Sequence, residues 1–162
     1  MSGTVRMHGR ARLRSTIDSA TCRVLVVANQ TPISPALIAQ LQERSARGPV
    51  RLHLVVPALN SRLSHWLSAT DGAVSAARRR AEDAQAVLKA RGLAVSVEIG
   101  DSVPLLAIDD ALAEFDADEI LISTLPPSRS HWMEHNLVEA ARDRFGVPVR
   151  HVVGSEDGTL AA

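Results

Sequence analysis

The stretch "RVLVVANQT" (Arg23–Thr31) decides how the rest of the chain is read. Val24 to Ala28 is an unbroken apolar run that ends in the polar loop Asn29-Gln30-Thr31. Runs of this length without alternation belong to strands buried on both faces, as in the middle of a parallel sheet. Directly downstream, Ser34-Pro35 supplies a helix cap and a proline for the first helical position. Leu37, Ile38 and Leu41 then fall on one helical face, and Gly48 offers a stop. "VRLHLVV" (Val50–Val56) is a second strand, closed by Pro57. The unit is strand, helix, strand.

The same alternation continues to the end of the chain. After a loop of about fifteen residues, long for a compact domain, a second helix is expected from near Asp71. Val74, Ala77, Ala81, Ala84 and Leu88 form its apolar stripe and Gly92 its stop. "LAVSVEI" (Leu93–Ile99) alternates strictly, with Ser96 and Glu98 on the second face, as an edge strand with one wet face does. Asp101 or Ser102 caps a third helix with Leu105, Ile108, Leu112 and Phe115 inward. "EILIS" (Glu119–Ser123) is again continuously apolar, and a fourth helix is expected over about His131–Arg144. Pro148 and Arg150 make "VPVRHVV" an edge strand.

Five strands alternating with four helices predict an α/β fold, a three-layer doubly wound parallel sheet with helices on both faces. Strands one and four read as central, three and five as edges, which gives the order 3-2-1-4-5. Ligands of such sheets lie beyond the carboxyl ends of the strands, where the order reverses. Here that is between strands one and four.

Composition bounds the function. The chain has 162 residues with 18 basic and 18 acidic side chains, so no net field draws it to nucleic acid or an anionic membrane. One cysteine, Cys22, excludes an internal disulfide and fits a reducing, cytoplasmic setting. No apolar run reaches the ~20 residues of a membrane span. Residues 1–21, with Arg6, Arg10, Arg12 and Arg14, read as a basic disordered extension, 22–153 as the folded domain, and 154–162 as a flexible tail. The "RRRAED" run (Arg78–Asp83) and Asp109-Asp110 read as solvated helix faces.

Two similar clusters, "SRLSHW" (Ser61–Trp66) and "SRSHW" (Ser128–Trp132), contain both tryptophans. They follow strands two and four, the neighbours of strand one, so both are expected at the carboxyl edge. Ser128 and Ser130 are helix-cap residues, and a helix start with exposed N–H groups attracts anions. Arg129 offers a bidentate contact to phosphate or carboxylate. The plainer reading is that the serines are caps and that Trp66 and Trp132 cover core. His65 and His131 lack the partners of a metal site or a catalytic triad.

Over roughly Cys22–Val153 the chain resembles universal stress protein domains. The resemblance is carried by "VLVVANQT", by "VEIGDSVPLLAIDDALAEFDADEILIS" with its turn, helix and strand, and by the closing "GVPVRHVV". It implies a stress- or signal-responsive, non-catalytic domain that binds ATP or AMP and forms homodimers through its last edge strand. ATP-binding members carry a spaced glycine signature after strand four, whose positions correspond here to Ser123, Pro126 and Asn136 (or His135 with a one-residue slip). None is glycine, and Pro126 has no N–H to donate to a phosphate. The family's adenosine-contacting aspartate corresponds to Asn29, and its adenine-facing backbone to Val56. The resemblance thus implies a ligand set of Asn29, Gln30, Thr31, Val56, Ser123, Thr124, Ser128, Arg129, Ser130 and Asn136, with a nucleotide or other small anion bound weakly or atypically. The alternative is a structural or dimerisation module that has lost nucleotide binding. A hydrolase or transferase of the same superfamily ranks below both, because the pyrophosphatase and adenylyltransferase motifs are absent.

Overall fold

A computed structural model of the chain describes residues 21–28, 33–58, 69–126 and 136–154. Five strands, β1 (Cys22–Ala28), β2 (Val50–Pro57), β3 (Val95–Gly100), β4 (Glu119–Thr124) and β5 (Val149–Val153), form one sheet. The helices are α1 (Pro35–Arg47), α2 (Ala69–Ala90), α3 (Pro104–Glu114) and α4 (Leu137–Arg144). All four strand pairs are parallel and the order is β3-β2-β1-β4-β5, as the apolar runs predict. β1 is buried from Val24 to Ala28 because it has a strand on each side and helices on each face.

The period-two alternation of the strands divides the core into two layers. Val24, Val26, Leu52, Leu54 and Leu121 point to the face that carries Leu37 and Leu41 of α1 and Ala77, Ala81, Ala84 and Leu88 of α2. Leu25, Val27, Val55, Ile120 and Ile122 point to the face that carries α3 and α4 through Ala107, Ile108, Ala111, Leu137 and Ala141. Each fully buried Leu or Ile contributes about 1.5–3 kcal/mol of transfer free energy. Alanines on the inner stripe of α2 let the helix lie close to the sheet. In a chain without tyrosine and with two phenylalanines, tight aliphatic packing replaces aromatic bulk.

Charge fixes the amino ends of the strands. Asp118 accepts from the Arg23 backbone N–H at 2.8 Å, and the Arg23 guanidinium reaches Asp116 at 3.0 Å and Asp118 at 3.3 Å. Beside them Glu119 forms a bidentate pair with Arg44 of α1 and lies 3.4 Å from Arg150 of β5. The first turn of β4 is therefore tied to β1, α1 and β5 at once.

Several boundaries differ from the sequence reading. β3 begins at Val95 rather than Leu93, and α2 begins at Ala69 rather than near Asp71. Neither Asp101 nor Ser102 caps α3: Val103 holds the cap position without a side-chain bond. Asp101 instead accepts from the Val103 N–H at 2.7 Å, closing a turn one step earlier. The last helix does not run unbroken from His131. Asn136 is left-handed (φ 51°) and α4 starts after it, because a left-handed residue cannot continue a right-handed helix. Residues 131–135, like both cluster copies, residues 1–20 and residues 155–162, lie outside the described residues.

Gly92, just after the end of α2, has φ +74°, as a helix-stopping glycine should. Asp109 and Asp110 are exposed, and Asp109 meets Arg144 of α4 at 2.7 Å. In the "RRRAED" run Arg78, Arg79, Glu82 and Asp83 are exposed, while Arg80 is half-buried and burial lowers its proton affinity.

Candidate functional site

The order reverses beside β1, whose neighbours are β2 and β4, so the carboxyl ends of these three strands frame the switch point. Along the edge, Ile99 pairs with Val56, Ala28 with Ser123, and Ser123 with Val152. This row lies on the face that carries α1 and α2, and it is apolar except for Ser123. The Val56 side chain is fully buried in that core, so only its backbone is placed to face a ligand. Of the residues expected to form the site, the fold brings Val56 and Ser123 together here and sets Thr124 on the opposite face.

Above the row stands the start of α1. Ser34 is buried, and its hydroxyl accepts from the Leu37 N–H at 3.1 Å, with Pro35 in the first turn. Gly154 passes beneath it: a Cβ on Gly154 would lie 3.1 Å from the Ser34 Cβ. The Gly154 N–H donates to the Thr124 carbonyl at 2.8 Å, so the β4–β5 ladder continues one residue past the end of β5. This close approach packs the start of α1 onto the last bond of the sheet.

Thr124 is 5% exposed, and its hydroxyl lies 2.7 Å from Nε2 of His151 on β5. Burial, and then the positive charge of Arg142 on α4, push the proton affinity of His151 below that of an ordinary histidine. Arg142 itself donates to the Val149 carbonyl at 3.4 Å and pairs with Glu139. His151 has no counterpart in the expected ligand set, since nothing in "VPVRHVV" separates it from an ordinary edge-strand residue. Asn136 stands at the start of α4 in its left-handed conformation and makes no side-chain cap bond. Asn29, Gln30, Thr31, Ser128, Arg129 and Ser130 lie outside the described residues.

A cleft lies at the amino end of the sheet. It has a volume of about 500 Å³ and is lined by Cys22, Gln40, Glu43, Arg44, Glu119 and Arg150, among others. Its charges neutralise one another through the Arg44–Glu119, Arg150–Glu119 and Arg47–Glu43 pairs. The Cys22 thiol is half-buried at its wall, and burial followed by Glu119 and Asp118 raises its pKa, which keeps it protonated and weakly nucleophilic. On the wet face of β3, His53 bridges Ser96 at 2.8 Å and Glu98 at 2.9 Å and stacks on Phe115. Ser96 also lies 3.3 Å from the Leu52 carbonyl, so this group closes an edge and leaves no oriented nucleophile. Among the described residues no cluster of metal-ligating side chains occurs, and no helix is long and apolar enough to cross a membrane.

No protein-family model and no curated protein matches the chain. Among solved structures it is similar to the crystal structure of a protein from the universal stress protein family from Burkholderia pseudomallei. That likeness has a TM-score of 0.53 at 24% identity and covers 80% of this chain and 94% of the other. The chain has the fold of a universal stress protein domain.

Proposed function

We propose that the chain is a non-catalytic, stress- or signal-responsive domain that binds a nucleotide or another small anion, weakly or atypically, at the carboxyl edge of its sheet. The observation behind this reading is the switch point: β1 is flanked by β2 and β4, and Val56, Ala28 and Ser123 line up at their carboxyl ends. Sheets of this topology present a crevice to ligands at that place. Backbone around Val56 and the loop Asn29-Gln30-Thr31 would take the nucleoside. Ser123, Thr124, Ser128, Arg129, Ser130 and Asn136 would take the anion, in place of a glycine loop. The protein would act in the cytoplasm as a homodimer joined through β5. Calorimetric titration with ATP, AMP and cyclic nucleotides tests the ligand half: saturable binding weakened by Arg129→Ala supports it, and no binding by any of the three refutes it.

One observation favours a second reading. Ser123 and Thr124 are both nearly buried, and the Thr124 hydroxyl is already engaged by His151. A module that has lost nucleotide binding and retains only dimerisation would bury these groups permanently. Under that reading the titrations are silent while the dimer persists.

A further inference from the structure

His151 and Thr124 form the one polar contact between described side chains of β4 and β5 at the carboxyl edge, and its polarity depends on a proton. When Nε2 of the neutral ring is bare, the Thr124 O–H must donate to it across 2.7 Å. The hydroxyl then presents only lone pairs to its surroundings, the wrong polarity for an anion. When the ring is an imidazolium, Nε2–H donates to Oγ1, and the Thr124 O–H has to find another acceptor. It is then available to an oxygen of a ligand held where β4 ends, with a positive charge directly behind it.

We propose that His151 is a positioning residue that sets the direction of the Thr124 hydroxyl and thereby links proton uptake to anion binding at the carboxyl edge. This rests on the reading that the carboxyl edge is the ligand site. The surroundings of the ring suit a linkage of this kind. Arg142 of α4 is the charge that opposes protonation, and it is held by Glu139 and the Val149 carbonyl. Arg144 of the same helix is engaged by Asp109, and Arg150 by Glu119 at the far end of the strand. The residues of β4 on the same face, Ile120 and Ile122, carry no charge. A bound anion would therefore supply the compensating charge that the ring otherwise lacks. Linkage is reciprocal, so the anion must raise the proton affinity of His151 by the factor by which protonation raises anion affinity.

The test uses the full chain and ATP as the probe, titrated calorimetrically at pH 7.5, 6.5 and 5.5 (values spanning the usual histidine range, about 6.5). The wild type should gain at least about fivefold more affinity than His151→Gln as the pH falls. Thr124→Val should lose the same excess. Titration of the ATP phosphates is common to all three proteins and cancels in the comparison. A readout independent of variants is the His151 titration midpoint by NMR, which should rise when ATP is added to the wild type. Equal pH dependence in the wild type and His151→Gln, or an unmoved midpoint at saturating ATP, overturns the linkage and leaves the binding reading intact. Absence of ATP binding to the wild type at every pH overturns both.

Discussion

Gly100, the last residue of β3, lies so close to α3 that a Cβ built on it would stand 2.6 Å from the Ala107 Cβ and 2.7 Å from Val55 Cγ1. Real Cβ atoms do not approach so closely, and neither neighbour has a flexible end that can swing aside. Gly100→Ala must push α3 away from the sheet, at a cost of about 1–3 kcal/mol. Urea denaturation should show that loss, while Gly48→Ala, which meets nothing within 4 Å, should show none from steric crowding. An unchanged midpoint for Gly100→Ala would mean that α3 does not seat on the sheet in this way.

Arg44 and Glu119 are each about one-eighth exposed and face each other as a bidentate pair, with Arg150 on the second carboxylate oxygen. Glu119→Ala would leave the largely buried Arg44 guanidinium without its carboxylate partner. The expected loss is about 3 kcal/mol, the order found when one member of a buried pair is removed. Glu43→Ala, which breaks an exposed pair with Arg47, should cost no more than about 0.5 kcal/mol. A chemical denaturation series on these two variants distinguishes the classes, and equal small losses would contradict the burial of Glu119.

Much of this fold is legible in the chain because parallel-sheet burial leaves unmistakable marks. The unbroken runs in β1 and β4 place those strands in the centre, and the Ser96/Glu98 alternation places β3 at an edge. What cannot be read is pairing across distance. Arg44 and Glu119 are 75 residues apart, and Thr124 and His151 are 27 apart. Each looks like an ordinary surface or edge residue until the sheet register brings it to its partner. Local conformation is lost in the same way: "HNLVEAARDR" has helical composition throughout, but Asn136 takes the left-handed region that asparagine tolerates, and the helix begins only after it. The site is less legible than the fold. Type and order of elements fix where a ligand would lie, whereas hydroxyl accessibility depends on packing that no periodicity encodes.

The depressed proton affinity of His151 makes stability depend on pH. The unfolded chain binds a proton at the ordinary histidine value, about 6.5, and the folded chain binds it only at lower pH. The stabilising contribution of the neutral ring is therefore fully present above about 6.5 and is lost as the pH falls through the folded value. Thermal unfolding without ligand should show the wild type losing more stability than His151→Gln between pH 7 and 5. Parallel curves would indicate that the ring is not held neutral by its surroundings.

β5 bonds to β4 through Pro148, Arg150, Val152 and Gly154, as the Ile120 N–H to Pro148 and Gly154 N–H to Thr124 bonds at its two ends show. The alternation of a parallel strand then turns the backbone groups of Val149, His151 and Val153 to the open edge. Val153→Pro removes one outward N–H without disturbing the ladder to β4. If homodimers form by edge pairing through β5, light scattering should show this variant shifted to monomer with its unfolding transition retained. A dimer indifferent to Val153→Pro would have to use another surface.

The central claim, a small-anion site at the carboxyl edge, is tested most directly by native mass spectrometry of freshly purified protein, followed by titration with ATP and AMP. A carboxyl-edge site should give one nucleotide-sized mass per protomer, retained under gentle conditions, exchangeable with added ATP and weakened by Arg129→Ala. Bare protomers that take up neither nucleotide at millimolar concentration would contradict it.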